Sequence, residues 1–227
     1  LVIPEVNPED IKWNKGIIAN PNCTTIIMLV AVTPLHRAKK LKRLIASTYQ
    51  ATSGAGAKGM DELISQTQQA LNHEELTPKF FAHQIAFNLI PHIDVFKEGD
   101  YTKEELKMVY ESRKMLHYPE LRVSCTCVRV PILRAHSESL NMEFEDDVTP
   151  ADVREILKNA PGVKLVDDIA NKRYPMPVEA SGQGDVLVGR IRQDISRGDK
   201  KGIDMFICGD QVLKGAALNA VQIAELL

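Results

Sequence analysis

Arg43-Leu-Ile-Ala-Ser-Thr-Tyr-Gln50-Ala-Thr-Ser-Gly54-Ala-Gly56-Ala-Lys-Gly59 is the stretch whose reading settles the fold class. Its first half is rich in β-branched and aromatic residues and reads as a strand. Its second half is a small-residue loop with a literal G-x-G-x-x-G, after which Met60, Leu63, Ile64, Thr67 and Leu71 recur at helical spacing. Strand, glycine loop and helix together suggest a dinucleotide-binding unit. Such a unit needs a second parallel strand ending in an acidic residue about 20 residues on, whereas Gln66 to Leu76 is polar and helical up to Thr77-Pro78. The loop is therefore an anion-friendly nest of backbone N–H groups close to Gln50, and not a dinucleotide fold.

Working outward, Gly16-Ile-Ile-Ala19 reads as a short strand, Asn20-Pro-Asn22 as a tight turn, and Cys23 to about Arg37 as a buried helix with Asn22 or its neighbour as N-cap. Residues 1–15, with Pro and Asn and no sustained period, read as a linker. Downstream, His73 to Gly99 is an irregular connection with one strand near Ile85–Ile90. Thr102 and Glu105 form a capping box for a helix over Tyr101–His117, which turns Leu106, Val109, Met115 and Leu116 inward. Arg122–Leu133 alternates as a strand, and Leu140–Glu145, Val163–Asp167, Val186–Arg192 and Met205–Cys208 add four more. Thr149–Asn159 and Lys214–Leu227 are helical. This pattern predicts an α+β fold, a mixed, largely antiparallel sheet covered by helices.

Composition narrows the function. A chain of 227 residues, 44% hydrophobic and 26% charged, can bury one sizeable core. Its formal charge of −2 argues against nucleic acid or an anionic membrane as partner. No apolar run is long enough to span a bilayer, and Leu1-Val-Ile-Pro4 has neither a starting Met nor a secretory layout, so it reads as an internal start. Four unevenly spaced cysteines predict free thiols in a reducing compartment, the cytoplasm or a plastid stroma. Cys125 and Cys127 share a strand face and read as small packing residues rather than a metal pair.

The residue that carries chemistry is Cys23. A thiol in the first turn of a helix meets the positive end of the macrodipole and unpaired N–H groups, which predicts a lowered pKa and an oxyanion-binding site. His136 is the candidate proton shuttle. Arg129 shares the face of Cys125 and Cys127, where a buried guanidinium requires an anion. Strict alternation sets Arg129 and His136 on opposite faces unless Pro131 or a bulge redirects the strand. Glu104 and Lys107, three apart, share one helix face. Each has an ordinary reading beside the functional one: a structural Cys, a satisfied core His, a solvated ion pair.

Taken together, Asn20-Pro-Asn-Cys23-Thr-Thr, Ser47-Thr-Tyr-Gln-Ala-Thr-Ser-Gly-Ala-Gly56, Tyr101-Thr-Lys-Glu-Glu-Leu-Lys107, Cys127-Val-Arg-Val-Pro131, Arg134-Ala-His136-Ser, Val188-Gly-Arg-Ile-Arg192 and Lys214-Gly-Ala-Ala-Leu-Asn-Ala-Val-Gln-Ile-Ala-Glu225 closely resemble the aspartate-semialdehyde dehydrogenase family. The resemblance implies the catalytic domain of a glyceraldehyde-phosphate-dehydrogenase-like enzyme. It further implies NADPH-dependent reduction of aspartyl phosphate to aspartate semialdehyde, with release of phosphate, through a thioester, in lysine, threonine and methionine biosynthesis. It implies Cys23 as nucleophile, His136 as acid/base and Gln50 as the residue orienting the acyl group. Arg129 and Glu104 would hold the substrate's α-carboxylate and α-ammonium, with Asn22 beside them, and Lys107 its phosphate. Ser53, Gly54 and Gln211 resemble residues on the nicotinamide side of NADP; position 211 is Asn in many relatives.

The resemblance divides the chain into a linker from a nucleotide-binding domain (1–15), a catalytic and dimerisation domain (16–209) and a C-terminal helix packing on the nucleotide domain (210–227). It implies a homodimer or tetramer, and negligible turnover for these residues alone. Two other readings stand beside it: a sister acyl-phosphate reductase of the N-acetyl-glutamyl-phosphate type, and a non-catalytic dimerisation module. Glu104 beside Arg129 suits a free amino acid better than an N-acetylated one.

Overall fold

The computed structural model describes residues 1–227. In chain order the helices are α1 (Cys23–Lys39), α2 (Ala57–Leu71), α3 (Lys103–Met115), α4 (Pro150–Lys158), α5 (Pro177–Ala180) and α6 (Leu218–Glu225). The strands are β1 (Leu41–Gln50), β2 (Arg122–Arg129), β3 (His136–Phe144), β4 (Val163–Leu165), β5 (Val186–Gln193) and β6 (Gly202–Gly209). They form one six-stranded sheet in the order β2-β1-β3-β6-β5-β4. The outer pairs β1–β2 and β4–β5 are parallel and the three inner pairs antiparallel, the mixed α+β architecture expected.

The core lies on the α1 side of the sheet. Leu44 and Ala46 of β1, Cys125 and Cys127 of β2, Leu140 and Met142 of β3 and Met205 and Ile207 of β6 alternate inward and meet Ile26, Ile27 and Val30. α1 is apolar almost all round because it is almost wholly buried; each fully buried Ile or Leu there contributes roughly 1.5–3 kcal/mol. Helices do not cover the sheet equally. The opposite face carries Tyr49, Ser139 and Phe206, half-buried, with α5 covering one end through Ala180 against Leu187 and Cys208.

Three expected elements are different. Gly16–Ala19 is not a strand: it is irregular, with Ile17 85% exposed. Ile85–Ile90 is not a strand either, apart from one bridge from Ile90 to Arg129. Side chains of α2 satisfy that backbone instead. Glu62 accepts the N–H groups of Lys79, Phe80 and Phe81, and Gln66 those of Ile85 and Ala86, so no ladder is needed. The β2 strand stops at Arg129 rather than running to Leu133. The first residues also pack more closely than a linker: Ile3 and Val6 belong to the main core, and Ile11 and Val2 pack with Ile223 of α6.

Candidate active site

The site forms where the ends of β1 and β2 and the start of β3 lie side by side. Gln50 pairs with Arg129 across the parallel β1–β2 ladder. On the other side of β1, Tyr49 pairs with Ser137, which puts His136 next to Gln50. The expectation that one redirected strand carries both Arg129 and His136 is therefore corrected: they belong to two strands with β1 between them. The connecting turn reverses through Ala135, a left-handed residue at φ 72°. Because β2 and β3 run opposite ways, the last inward residue of one and the first of the other meet at the same sheet end.

The main chain of Ala51, just past β1, orients both side chains. Its N–H donates to His136 Nδ1 at 3.0 Å and its carbonyl accepts from Arg129 Nη1 at 2.6 Å. A backbone N–H can only donate, so Nδ1 is the accepting nitrogen and the neutral ring carries its proton on Nε2. That Nε2 is buried and has no partner within the protein. Burial, and then the Arg129 charge, hold the imidazole well below its ordinary pKa, so it is neutral. Arg129 is 6% exposed and takes part in no ion pair. Gly54 lies against both: a Cβ there would come within 2.9 Å of Arg129 Nη1 and of His136 Nε2.

Cys23 opens α1 as expected, with Asn22 as N-cap accepting from the Thr25 N–H at 3.1 Å. Its expected low pKa is corrected. Burial pushes the thiol up to about 11, Glu104 adds to the rise, and Thr24 and Arg129 oppose it. A helix N-terminus returns only about 0.3–1 kcal/mol to an anion, less than the lost hydration of a buried thiolate. The resting sulfur is a thiol. A turn of π-helix over Leu213–Ala217 closes its other side, where a Cβ on Gly215 would lie 3.1 Å from the Cys23 Cβ.

Glu104, from α3, gathers the polar partners. Its Oε1 accepts from Asn22 Nδ2 at 2.9 Å and Gln50 Nε2 at 3.1 Å, and its Oε2 lies 3.3 Å from Lys107 Nζ. Lys107 also reaches Asp94 at 3.5 Å. Thr48 donates to Gln50 Oε1 at 3.0 Å, which fixes the amide. Of the three residues read as cofactor contacts, Ser53 and Gly54 stand at the open rim beside His136. Gln211 is 3% exposed, with its Oε1 accepting from the Ala135 N–H at 2.9 Å and its Nε2 bonded to Ser53 Oγ. It clamps the turn that delivers His136. Cys125 and Cys127 are core residues, the latter 3.8 Å from Met108 Sδ.

Thus Cys23, Gln50, Glu104, Lys107, Arg129, His136 and Asn22 come together through five segments of chain. Sequence reasoning missed Ala51, whose contribution is pure backbone and leaves no trace in residue type. It also missed Glu111, although seven residues from Glu104 is two turns on the same helix face.

A half-buried thiol at a helix mouth, a neutral imidazole with a free N–H and a guanidinium without an ion-pair partner are the groups that covalent catalysis through sulfur calls for. The family model described as the semialdehyde dehydrogenase dimerisation domain matches residues 32–214. An aspartate-semialdehyde dehydrogenase of Aquifex aeolicus is 54% identical over all of this chain and 67% of its own length. The structure of aspartate semialdehyde dehydrogenase II from Vibrio cholerae complexed with ASA superposes with a TM-score of 0.95 at 46% identity, covering 100% of this chain and 67% of that one. An aspartate semialdehyde dehydrogenase from Candida albicans with NADP shares the fold, at TM-score 0.73 and 24% identity, covering 100% of this chain and 65% of that one. The chain belongs to the aspartate-semialdehyde dehydrogenase family and spans about two thirds of the length of these relatives.

Proposed function

We propose that this domain carries the acyl-transfer half of NADPH-dependent reduction of aspartyl phosphate to aspartate semialdehyde, in the biosynthesis of lysine, threonine and methionine. The observation that carries this reading is the buried Arg129 cation with no anionic partner, beside the unpartnered His136 Nε2 and the Cys23 thiol. An uncompensated buried guanidinium is a demand for a carboxylate, and its fork can take one bidentately.

In this reading the α-carboxylate of the substrate sits on Arg129 and its ammonium faces Glu104, beside Asn22. Gln50 and His136 Nε2–H donate to the acyl oxygen as it becomes an oxyanion. The Cys23 sulfur bonds to the acyl carbon, the carbon–oxygen bond to phosphate breaks, and the departing phosphate carries off the thiol proton while Lys107 offsets its charge. NADPH, when bound, supplies the hydride that converts the thioester to the aldehyde. Ser53 and Gly54 fit its nicotinamide end because the rim there is open and Gly54 has no side chain to intrude; Gln211 would act there through Ser53. The 227 residues by themselves turn over negligibly with NADPH, and pair as homodimers through the half-buried sheet face, the tetramer being a further association.

Acylation needs no cofactor and tests the proposal directly. Incubated with aspartyl phosphate, the chain should gain the mass of one aspartyl group on Cys23 and release one phosphate, and C23S should gain none. N-acetyl-glutamyl phosphate, the substrate of the sister enzymes, should acylate far more slowly because it leaves Glu104 without its ammonium. No mass gain, or equal gain from both compounds, would overturn the assignment.

A further inference from the structure

We propose that Glu111 is a positioning residue for the nucleophile, gripping the main chain of Asn22 while Glu104 grips its side chain. This rests on the reading of Cys23 as nucleophile and goes beyond it, since no role above involves Glu111.

Asn22 is the residue before the reactive thiol, and every polar group it has is held. Its carbonyl accepts from the Ile26 N–H at 2.9 Å as α1 begins, and its Oδ1 accepts from the Thr25 N–H. Its Nδ2 donates to Glu104 Oε1 at 2.9 Å, and its own N–H donates to Glu111 Oε2 at 2.9 Å. Glu104 and Glu111 are seven residues apart on α3, so one helix face delivers two carboxylates to one residue. The preceding Pro21 is buried and has no N–H to offer, which leaves the Asn22 amide as the main-chain donor that ties this turn to α3, beside the side-chain bond to Glu104.

On the far side, Asn20 is fastened to the π-turn: its Nδ2 donates to the Ala216 carbonyl at 3.3 Å and its Oδ1 accepts from Asn219 at 2.7 Å. The turn bearing Cys23 is thus stretched between α3 and the C-terminal segment. Loss of the Glu111 acceptor frees rotation about Asn22 and lets the sulfur shift from its place at the start of α1, against Gly215. Burial pushes the Glu111 carboxyl up, and the bonds from Asn22 and Thr25 pull against that, as for an acid engaged in a fixed local structure.

The test compares E111Q, which keeps an oxygen acceptor, with E111L, which keeps bulk alone. Two quantities are measured on the intact chain: hydrogen exchange of the Asn22 amide, and single-turnover acylation of Cys23 across aspartyl phosphate concentrations. In E111L the Asn22 amide should exchange faster and the maximal acylation rate should fall about tenfold, with the half-saturating concentration unchanged within about twofold. E111Q should resemble the wild type in both. An Asn22 amide equally protected in E111L, or equal maximal rates, would overturn the proposal. Should E111L fail to fold, E111S takes its place with the same criteria. A wild-type chain that takes no aspartyl group would refute the nucleophile reading instead, while the Asn22 exchange would still judge the clamp.

Discussion

At Cys23 two electrostatic tendencies meet. The mouth of α1 favours a thiolate, but burial and the neighbouring Glu104 favour the thiol more strongly, and the thiol is held up to about 11. The reactive anion is therefore scarce at neutral pH and grows with alkalinity. Alkylation of Cys23 by iodoacetamide, followed by peptide mass spectrometry, should rise roughly tenfold per pH unit between 7 and 9 without a plateau. A plateau below pH 8 would mean a thiolate already present. The helix-start position was legible from Asn22-Cys23 alone, because capping is decided within four residues. The direction of the pKa was not, since it depends on what β2 and α3 place around the sulfur.

At the scale of the element, α3 links chemistry to stability. Its capping box is complete: Thr102 accepts from the Glu105 N–H and Glu105 accepts from the Thr102 N–H. Glu105 goes further and accepts the Cys127 N–H at 3.0 Å, which fastens α3 to β2. T102A should destabilise the domain by about 1 kcal/mol in a denaturant titration; the same midpoint as wild type would show the cap to be redundant. Thr102 and Glu105 could be read from their spacing, as could the shared face of Glu104 and Lys107. The segment 73–100 could not, because Glu62 and Gln66 satisfy its backbone from another helix, and such long-range bonding leaves no local period.

For the whole molecule, the two ends of the chain are joined across the structure. Lys214, 1% exposed, pairs with Glu5 at 2.6 Å and reaches Gln222 at 2.7 Å, while Asn219 donates to the Val2 carbonyl at 3.1 Å. These bonds also hold the π-turn against Cys23. In the proposed homodimer the pairing surface is the half-buried sheet face, where the Tyr49 and Phe206 rings lie 6.0 Å apart. Y49R places a charge in that face and should shift the protein from dimer to monomer in sedimentation velocity. Because Cys23, Arg129 and His136 all come from one chain, the monomer should still be acylated. A dimer that survives Y49R would place the interface elsewhere.

By itself the sequence determined the α+β class, the cysteine at a capped helix start, the inward face shared by Cys125, Cys127 and Arg129, and the family. Each of these is written in residues a few positions apart, where alternation, helical spacing and capping act. Tertiary structure alone decided that Arg129 and His136 flank Gln50 from two different strands, that the main chain of Ala51 aims both, and that the thiol rests protonated. Strand order and burial are set by contacts between residues far apart in the chain, and local physics cannot see them.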